Sequence, residues 1–326
     1  MLQQRPDHMY PQEITVWFSN TAAAIAERSL RSISSLKRKE RFMKKTITVL
    51  LLIFLSLCLF GCSSNKTDSE PAGGDISQDN TTTEDNVETE EEWLCVKETY
   101  YLNDGVIDTY CIYNYDGDGK FISMQEYDKD NNLVSSGESQ YDEKGREVLY
   151  QLYDENGLLD YSSEYEYDEN DLLIKESDYY SDGTPADYYV YEYDERGNMT
   201  RMENTTEDGF LSYSSEIEYD EKDRQTKAHY TFYGYDDWTN VYEYEGEKLV
   251  KLTMYNSNGE IDKTAVYSYN GANPELTDSM IYYDSDNNLM YRYEYRYDEA
   301  GNEISEALFD GQDKMTSMIE YEYKKK

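Results

Sequence analysis

Carboxylates at period-two spacing are the most abundant chemistry-capable feature of this chain. Glu164 and Glu166 set the pattern and their repeats follow it. Two carboxylates flanking a sugar bond are what a glycoside hydrolase needs. A catalytic pair should break the pattern kept by its surroundings, whereas these acids occupy a regularly polar strand face. The expectation is therefore a chain that is not an enzyme, with carboxylate-dependent glycan hydrolysis as the alternative. One histidine, His229, follows Cys62, so a histidine-based triad or metal cluster lacks members. Two runs, Asn114-Tyr115-Asp116-Gly117-Asp118-Gly119 and Asp284-Ser285-Asp286-Asn287-Asn288, alternate oxygens like the first half of a calcium-binding EF-hand loop. The first has Gln125 where that loop needs its twelfth-position glutamate. Asp-rich hairpin turns are the simpler reading, and no metal or cofactor is expected.

Tyrosine is the other candidate chemistry. Of 37 tyrosines, 36 follow Cys62 at regular spacing. Most should pack a half-buried sheet with their hydroxyls reaching water. One stretch breaks the regularity: His229-Tyr230-Thr231-Phe232-Tyr233-Gly234-Tyr235-Asp236-Asp237-Trp238. It loses the usual turn and gathers aromatics beside the histidine. Departures from local consistency are where function is most often found. His229, Tyr230, Phe232, Tyr233, Tyr235 and Trp238 are thus the candidate ligand contacts, a repacked irregular turn being the other reading. Alternation along a strand forbids all of them from facing one way. Cys95 and Cys111 flank the turn signal Asn103-Asp104-Gly105. They are read either as a disulfide, which export permits, or as two half-buried thiols.

The elements that carry these residues repeat. Tyr115-Asp116, Tyr141-Asp142, Tyr167-Asp168, Tyr193-Asp194 and Tyr219-Asp220 stand 26 residues apart, and the series runs on less strictly to Tyr323, eight periods in all. A second turn falls near the middle of most units, as at Asp154 and Asp182-Gly183. Glu164-Tyr165-Glu166-Tyr167 alternates with period two, the signature of a strand. The turns read Asp-x-x-Gly, where aspartate caps loop amides and glycine, or less easily Asn or Asp, takes a positive φ. Spacings of 12 to 14 residues leave no room for crossover helices, so neighbouring strands must be antiparallel. The expected fold is all-β: an antiparallel meander of about eight 26-residue units over 93–326, rolled into a curled or spiral single sheet.

Tyr141-Asp142-Glu143-Lys144-Gly145-Arg146 and Tyr193-Asp194-Glu195-Arg196-Gly197-Asn198 resemble the YD repeats of the bacterial RHS family, whose core is Tyr-Asp-x-x-Gly-Arg/Asn. Asp182-Gly183 and Asp208-Gly209 resemble its intervening turn. The resemblance covers about 110–326. It departs at Asp171 and Asp223, which replace the glycine. Large RHS proteins wrap such repeats around a C-terminal toxin. Here the repeats run to Glu322-Tyr323, so the resemblance implies a β-repeat surface protein and no toxin.

The remaining segments concern location. Met43-Lys44-Lys45 precedes a short apolar run ending at Leu59-Phe60-Gly61-Cys62, the layout of a signal peptide over 43–62. The run is short of the ~20 apolar residues of a membrane span. Its end resembles the lipobox of bacterial lipoproteins, which implies that Cys62 receives lipid and anchors the chain to the outer side of the cell membrane. Residues 1–42 read as a mis-assigned start, since Lys37-Arg38-Lys39-Glu40-Arg41 can be encoded by purines alone, or else as a cytoplasmic extension. Residues 63–92 are acidic and low in complexity, a disordered linker. The net charge is −39 overall, and beyond Cys62 it becomes −44, with 21 basic against 65 acidic residues. Such a field repels nucleic acid and anionic polymers and favours basic partners. The function expected is a surface-tethered binding or structural module for a glycan or basic protein ligand, attached to the membrane through its N-terminal lipid.

Overall fold

Turn chemistry sets the strand boundaries. In the turn at Asp142, the Asp142 amide donates to the Arg146 carbonyl at 2.9 Å and the Gly145 amide to the Asp142 carbonyl at 3.0 Å. One carboxylate oxygen of Asp142 accepts the Lys144 and Arg146 amides, both at 2.9 Å. Gly145 closes the loop at φ 85°, a conformation that a Cβ disfavours. The expected aspartate caps are thus in place. Asn131, Asp171, Asp223, Asn287 and Asp313 also hold positive φ, at a cost of about 1 kcal/mol each. Four of these have a visible compensation. Asn131 accepts the Tyr110 hydroxyl at 2.9 Å, and Asp313 accepts Arg292. Asp171 accepts Lys144 at 2.6 Å and Arg146 at 2.7 Å from the preceding Tyr-Asp turn. Asp223 likewise accepts Arg196 at 2.7 Å and Asn198 at 2.8 Å.

The computed structural model describes residues 92–326. Eighteen strands follow one another among them. The first six are β1 (Trp93–Leu102), β2 (Ile107–Tyr115), β3 (Phe121–Asp128), β4 (Leu133–Tyr141), β5 (Glu147–Asp154) and β6 (Leu159–Tyr167). Then come β7 (Leu173–Tyr180), β8 (Pro185–Tyr193), β9 (Met199–Thr206), β10 (Leu211–Tyr219), β11 (Gln225–Phe232) and β12 (Trp238–Glu245). The last six are β13 (Lys248–Asn256), β14 (Ile261–Tyr269), β15 (Thr277–Asp284), β16 (Leu289–Tyr297), β17 (Glu303–Asp310) and β18 (Met315–Lys325). These make nine two-strand units, one more than the periods counted from Tyr115, because β1 and β2 precede that mark.

Each strand pairs antiparallel with the next, and β1 pairs with β18. The sheet is therefore a closed barrel, and the expectation of a curled or spiral single sheet is corrected. Closure removes both edges, whose unpaired amides and carbonyls would otherwise template association. The seam carries its own side-chain contacts. Lys97 meets Glu322 at 2.7 Å, and the Tyr101 hydroxyl donates to Glu320 at 2.6 Å.

Side chains alternate between the two faces. The regular glutamates lie outside, paired across strands, as in Lys175–Glu166 at 2.8 Å and Lys251–Glu243 at 2.8 Å. The tyrosines that alternate with these glutamates lie inside, and the last one of a unit is stapled. The Tyr167 hydroxyl donates to the Glu147 carbonyl at 2.7 Å, Tyr193 to Leu173 at 2.7 Å and Tyr219 to Met199 at 2.8 Å. Each carbonyl lies two residues before the first ladder pair of its hairpin. The hydroxyl thus satisfies a group that the β-ladder leaves over.

Candidate functional site

The 229–238 break lies at the β11–β12 connection. Its ladder is short, running from Lys227↔Val241 to Tyr230↔Trp238. Gly234 takes φ 81°, and the Tyr233 amide leaves the hairpin to donate to the Ser212 carbonyl at 3.0 Å. The six aromatic and histidine candidates divide by face. Tyr230, Phe232 and Trp238 point inward, stacked at 5.2 Å (Tyr230–Trp238) and 4.9 Å (Phe232–Trp238). They pack on Ala228 and Ile217 as one core cluster. These three are corrected from ligand contacts to interior packing, because strand alternation turns them away from His229. That histidine faces outward, its Nδ1 at 3.0 Å from the Thr239 hydroxyl and its Nε2 at 4.0 Å from Asp237. Tyr233 is 65 % exposed and Tyr235 40 %.

A residue outside the break completes the exposed patch. Phe210 follows Gly209 in the β9–β10 turn, and its ring meets Tyr233 edge-on at 4.4 Å. Beside the pair lies an open groove of about 420 Å³ lined by Phe210, Leu211, Tyr213, Thr231 and Tyr233. Glu207, Asp208 and Asp236 are exposed on the two turns that form it. Phe210 was detectable in the repeat itself: the residue after the turn glycine is Val106, Leu158, Thr184 or Glu260 in other units. An aromatic in that exposed slot is out of pattern.

The inward face holds a second group of residues that pattern reading passed over. Glu176, Asp178 and Glu147 lie inside among tyrosines. Glu176 occupies the strand slot filled by Tyr150 and Met202 one period away and by Ala228 two periods away, and Glu306 occupies it again. An acid in a mostly apolar slot was the available signal. Burial, then the like charge of Asp178, pushes Glu176 up to about 7, against the hydrogen bond donated by Tyr191 at 3.1 Å. Burial pushes Asp178 up to about 6, although the Ser163 hydroxyl donates to it at 2.8 Å. Glu147 and Asp187 are raised by burial as well. Across the seam side, burial lifts Glu303 and Glu306 to about 7 each. Tyr100 and Tyr113 both donate to one oxygen of Glu98, at 2.6 and 2.8 Å.

Other candidates resolve simply. Cys95 and Cys111 are free thiols, which corrects the disulfide reading. Cys111 sits opposite Glu98, so Cys95 is three residues out of step, roughly 10 Å along the strand. That exceeds the ~7 Å a bridge can span. In the two calcium-like runs the leading aspartates are consumed by their own turns. Asp116 accepts the Asp118 and Lys120 amides at 2.9 and 2.8 Å, and Asp284 those of Asp286 and Asn288 at 3.0 and 2.8 Å. Cys62, the leader, the linker and residues 1–42 lie outside the described residues.

Comparison with known proteins adds little beyond fold. A family model described as "Uncharacterised protein" matches residues 89–219. No curated protein matches the chain. Among solved structures, the chain is similar to the Photorhabdus luminescens Tc holotoxin pore at 15 % identity and a TM-score of 0.32, covering 62 % of this chain and 13 % of that one. A TcdB2-TccC3-Cdc42 structure is similar at 14 % identity and a TM-score of 0.32, with 62 % and 14 % covered. The chain thus spans about one seventh of these toxin chains or less. A porin-like protein from Bacteroides uniformis is similar at 10 % identity and a TM-score of 0.39, with 71 % and 98 % covered. None of these likenesses assigns a ligand or an activity.

Proposed function

We propose that the chain is a lipid-anchored surface protein whose barrel holds a protein or glycan ligand at the Phe210–Tyr233 groove. The observation that carries the reading is an exposed aromatic pair beside a groove, Tyr233 on the turn that breaks the repeat and Phe210 as an out-of-pattern ring after a regular Asp-Gly turn. Elsewhere the turns are built to close hairpins and bridge to their neighbours. Aromatic rings offer contact area at low entropy cost, and truncating a central one typically costs a binding site about 2 kcal/mol or more. The charged outer face argues for a barrel standing in water, since a membrane-spanning barrel turns an apolar band about 25 Å tall towards lipid. Anchoring then falls to acylated Cys62, where two or more acyl chains make attachment stable.

The test compares Phe210→Ala with Tyr233→Ala against an outer-face pair in a regular unit, Tyr179 and Tyr188, in binding to cells and wall extracts. The groove pair should lose binding at least tenfold at unchanged melting temperature. Binding kept by the groove pair and lost by the regular pair would place the ligand on the sheet instead. For the anchor, mass spectrometry of the native N-terminal peptide should find diacylglycerol on Cys62, and Cys62→Ala should release the chain from membranes.

A second reading, glycan hydrolysis, draws support from the non-repeat acids inside the barrel. Glu176, held near neutrality beside Asp178, has the tuning of a general acid. Loss of glycan cleavage in Glu176→Gln, with the groove variants still active, would favour it.

A further inference from the structure

The partner at the groove is recognisable from its surroundings. We infer that it is a cationic peptide segment, one of whose arginine or lysine side chains lies over Tyr233 while Glu207, Asp208, Asp236 and Asp237 receive its charge. This rests on the groove being the binding site.

Two observations support that choice. The first is charge. The lining is aromatic, aliphatic and hydroxylic, without a lysine or arginine, and the turns on either side contribute four carboxylates. The chain as a whole carries −39. Such a field draws cations in and turns anionic wall polymers away, while a neutral glycan gains nothing from it.

The second is a contact that the barrel uses repeatedly on its opposite rim. There, at four of the turns, a basic residue after the turn lies over the tyrosine that ends the next unit. Lys120 stands 4.7 Å from the Tyr141 ring centre, Arg146 4.8 Å from Tyr167, Arg224 4.5 Å from Tyr244 and Lys248 4.8 Å from Tyr269. A cation over a tyrosine face is attracted by the ring quadrupole. Tyr233 is 65 % exposed, and Phe210 meets it edge-on. A partner's guanidinium or ammonium would make there the contact that the chain's own cations make elsewhere, beside acids that complete the neutralisation.

The experiment titrates the exported chain with three labelled probes: a short peptide alternating arginine and leucine, its glutamate counterpart, and a neutral β-linked oligosaccharide. The arginine peptide should bind and the glutamate peptide should not. Tyr233→Ala should weaken binding at least tenfold, and Asp208→Asn with Asp236→Asn should weaken it and flatten its salt dependence. Melting temperatures keep folding defects distinguishable. If the oligosaccharide binds through Tyr233 and the arginine peptide does not bind, the groove stands as a site and the cationic partner is wrong. If the arginine peptide binds equally well to Tyr233→Ala, attraction is diffuse, and both the partner and the role of the groove fall. A Tyr233-dependent dimer that binds no peptide would likewise overturn the inference, with a second copy as the occupant.

Discussion

Trp238→Ala should cost the barrel about 3 kcal/mol, the usual scale for deleting a large packed aromatic, while Tyr233→Ala, five residues away, should change stability by less than ~0.5 kcal/mol. The contrast follows from face and not from residue type. Trp238 stacks on Tyr230 and Phe232 inside the barrel, and its removal leaves a void next to Ala228, which is fully buried. Tyr233 loses only an edge contact with Phe210. Urea unfolding midpoints of the two variants check this directly. Equal destabilisation would mean that the exposed tyrosine is a structural member of the turn.

The second large effect concerns pH. Glu176, Glu303 and Glu306 rise to about 7 and Asp178 to about 6, each chiefly through burial. A carboxyl that holds its proton more tightly when folded stabilises the fold fully below its unfolded pKa, near 4. That contribution is lost as pH climbs through the folded value. Each such group is worth roughly 3 kcal/mol as a ceiling, since neighbouring acids titrate together. The turn aspartates act in the opposite direction. Asp220 falls to about 2, mainly through its hydrogen bonds from Arg224, and Asp142 and Asp298 are lowered too. Their contribution is present above pH 4 and is lost below it. Stability should therefore peak between about pH 4 and 5 and fall by several kcal/mol towards pH 8. Denaturant unfolding at pH 5 and pH 8 measures it, and Glu176→Gln should flatten the slope. Stability that rises over this interval would contradict the buried-carboxyl account.

Short-range features were legible in the residues because their causes are local. Asp142 and Gly145 define a hairpin within five residues, and Tyr-Glu-Tyr-Asp announces an outer acidic and an inner aromatic face. Closure has no such local cause. It depends on Trp93 finding Lys325, and neither strand carries a mark of its partner. Register hid the rest. Alternation alone shows that Tyr230 and Phe232 oppose His229. That Trp238 joins the inner side follows only from its pairing with Tyr230 across a five-residue loop. Cys95 and Cys111 failed as a bridge for the same reason. Phe210 and Glu176 were visible in principle, as wrong residue types in repeat slots, but only once the units were aligned slot by slot and not merely turn by turn.

The central claim is that the groove is where this protein meets its ligand. A photoreactive phenylalanine analogue in place of Tyr233, irradiated in cells producing the full chain, tests it most directly. The control carries the analogue at Ile304, an exposed outer-face residue of β17. The account predicts a discrete cross-linked species from position 233 that is missing from position 304 and is competed away by the arginine peptide. Matching adducts at both positions, or adducts at 304 alone, would contradict it.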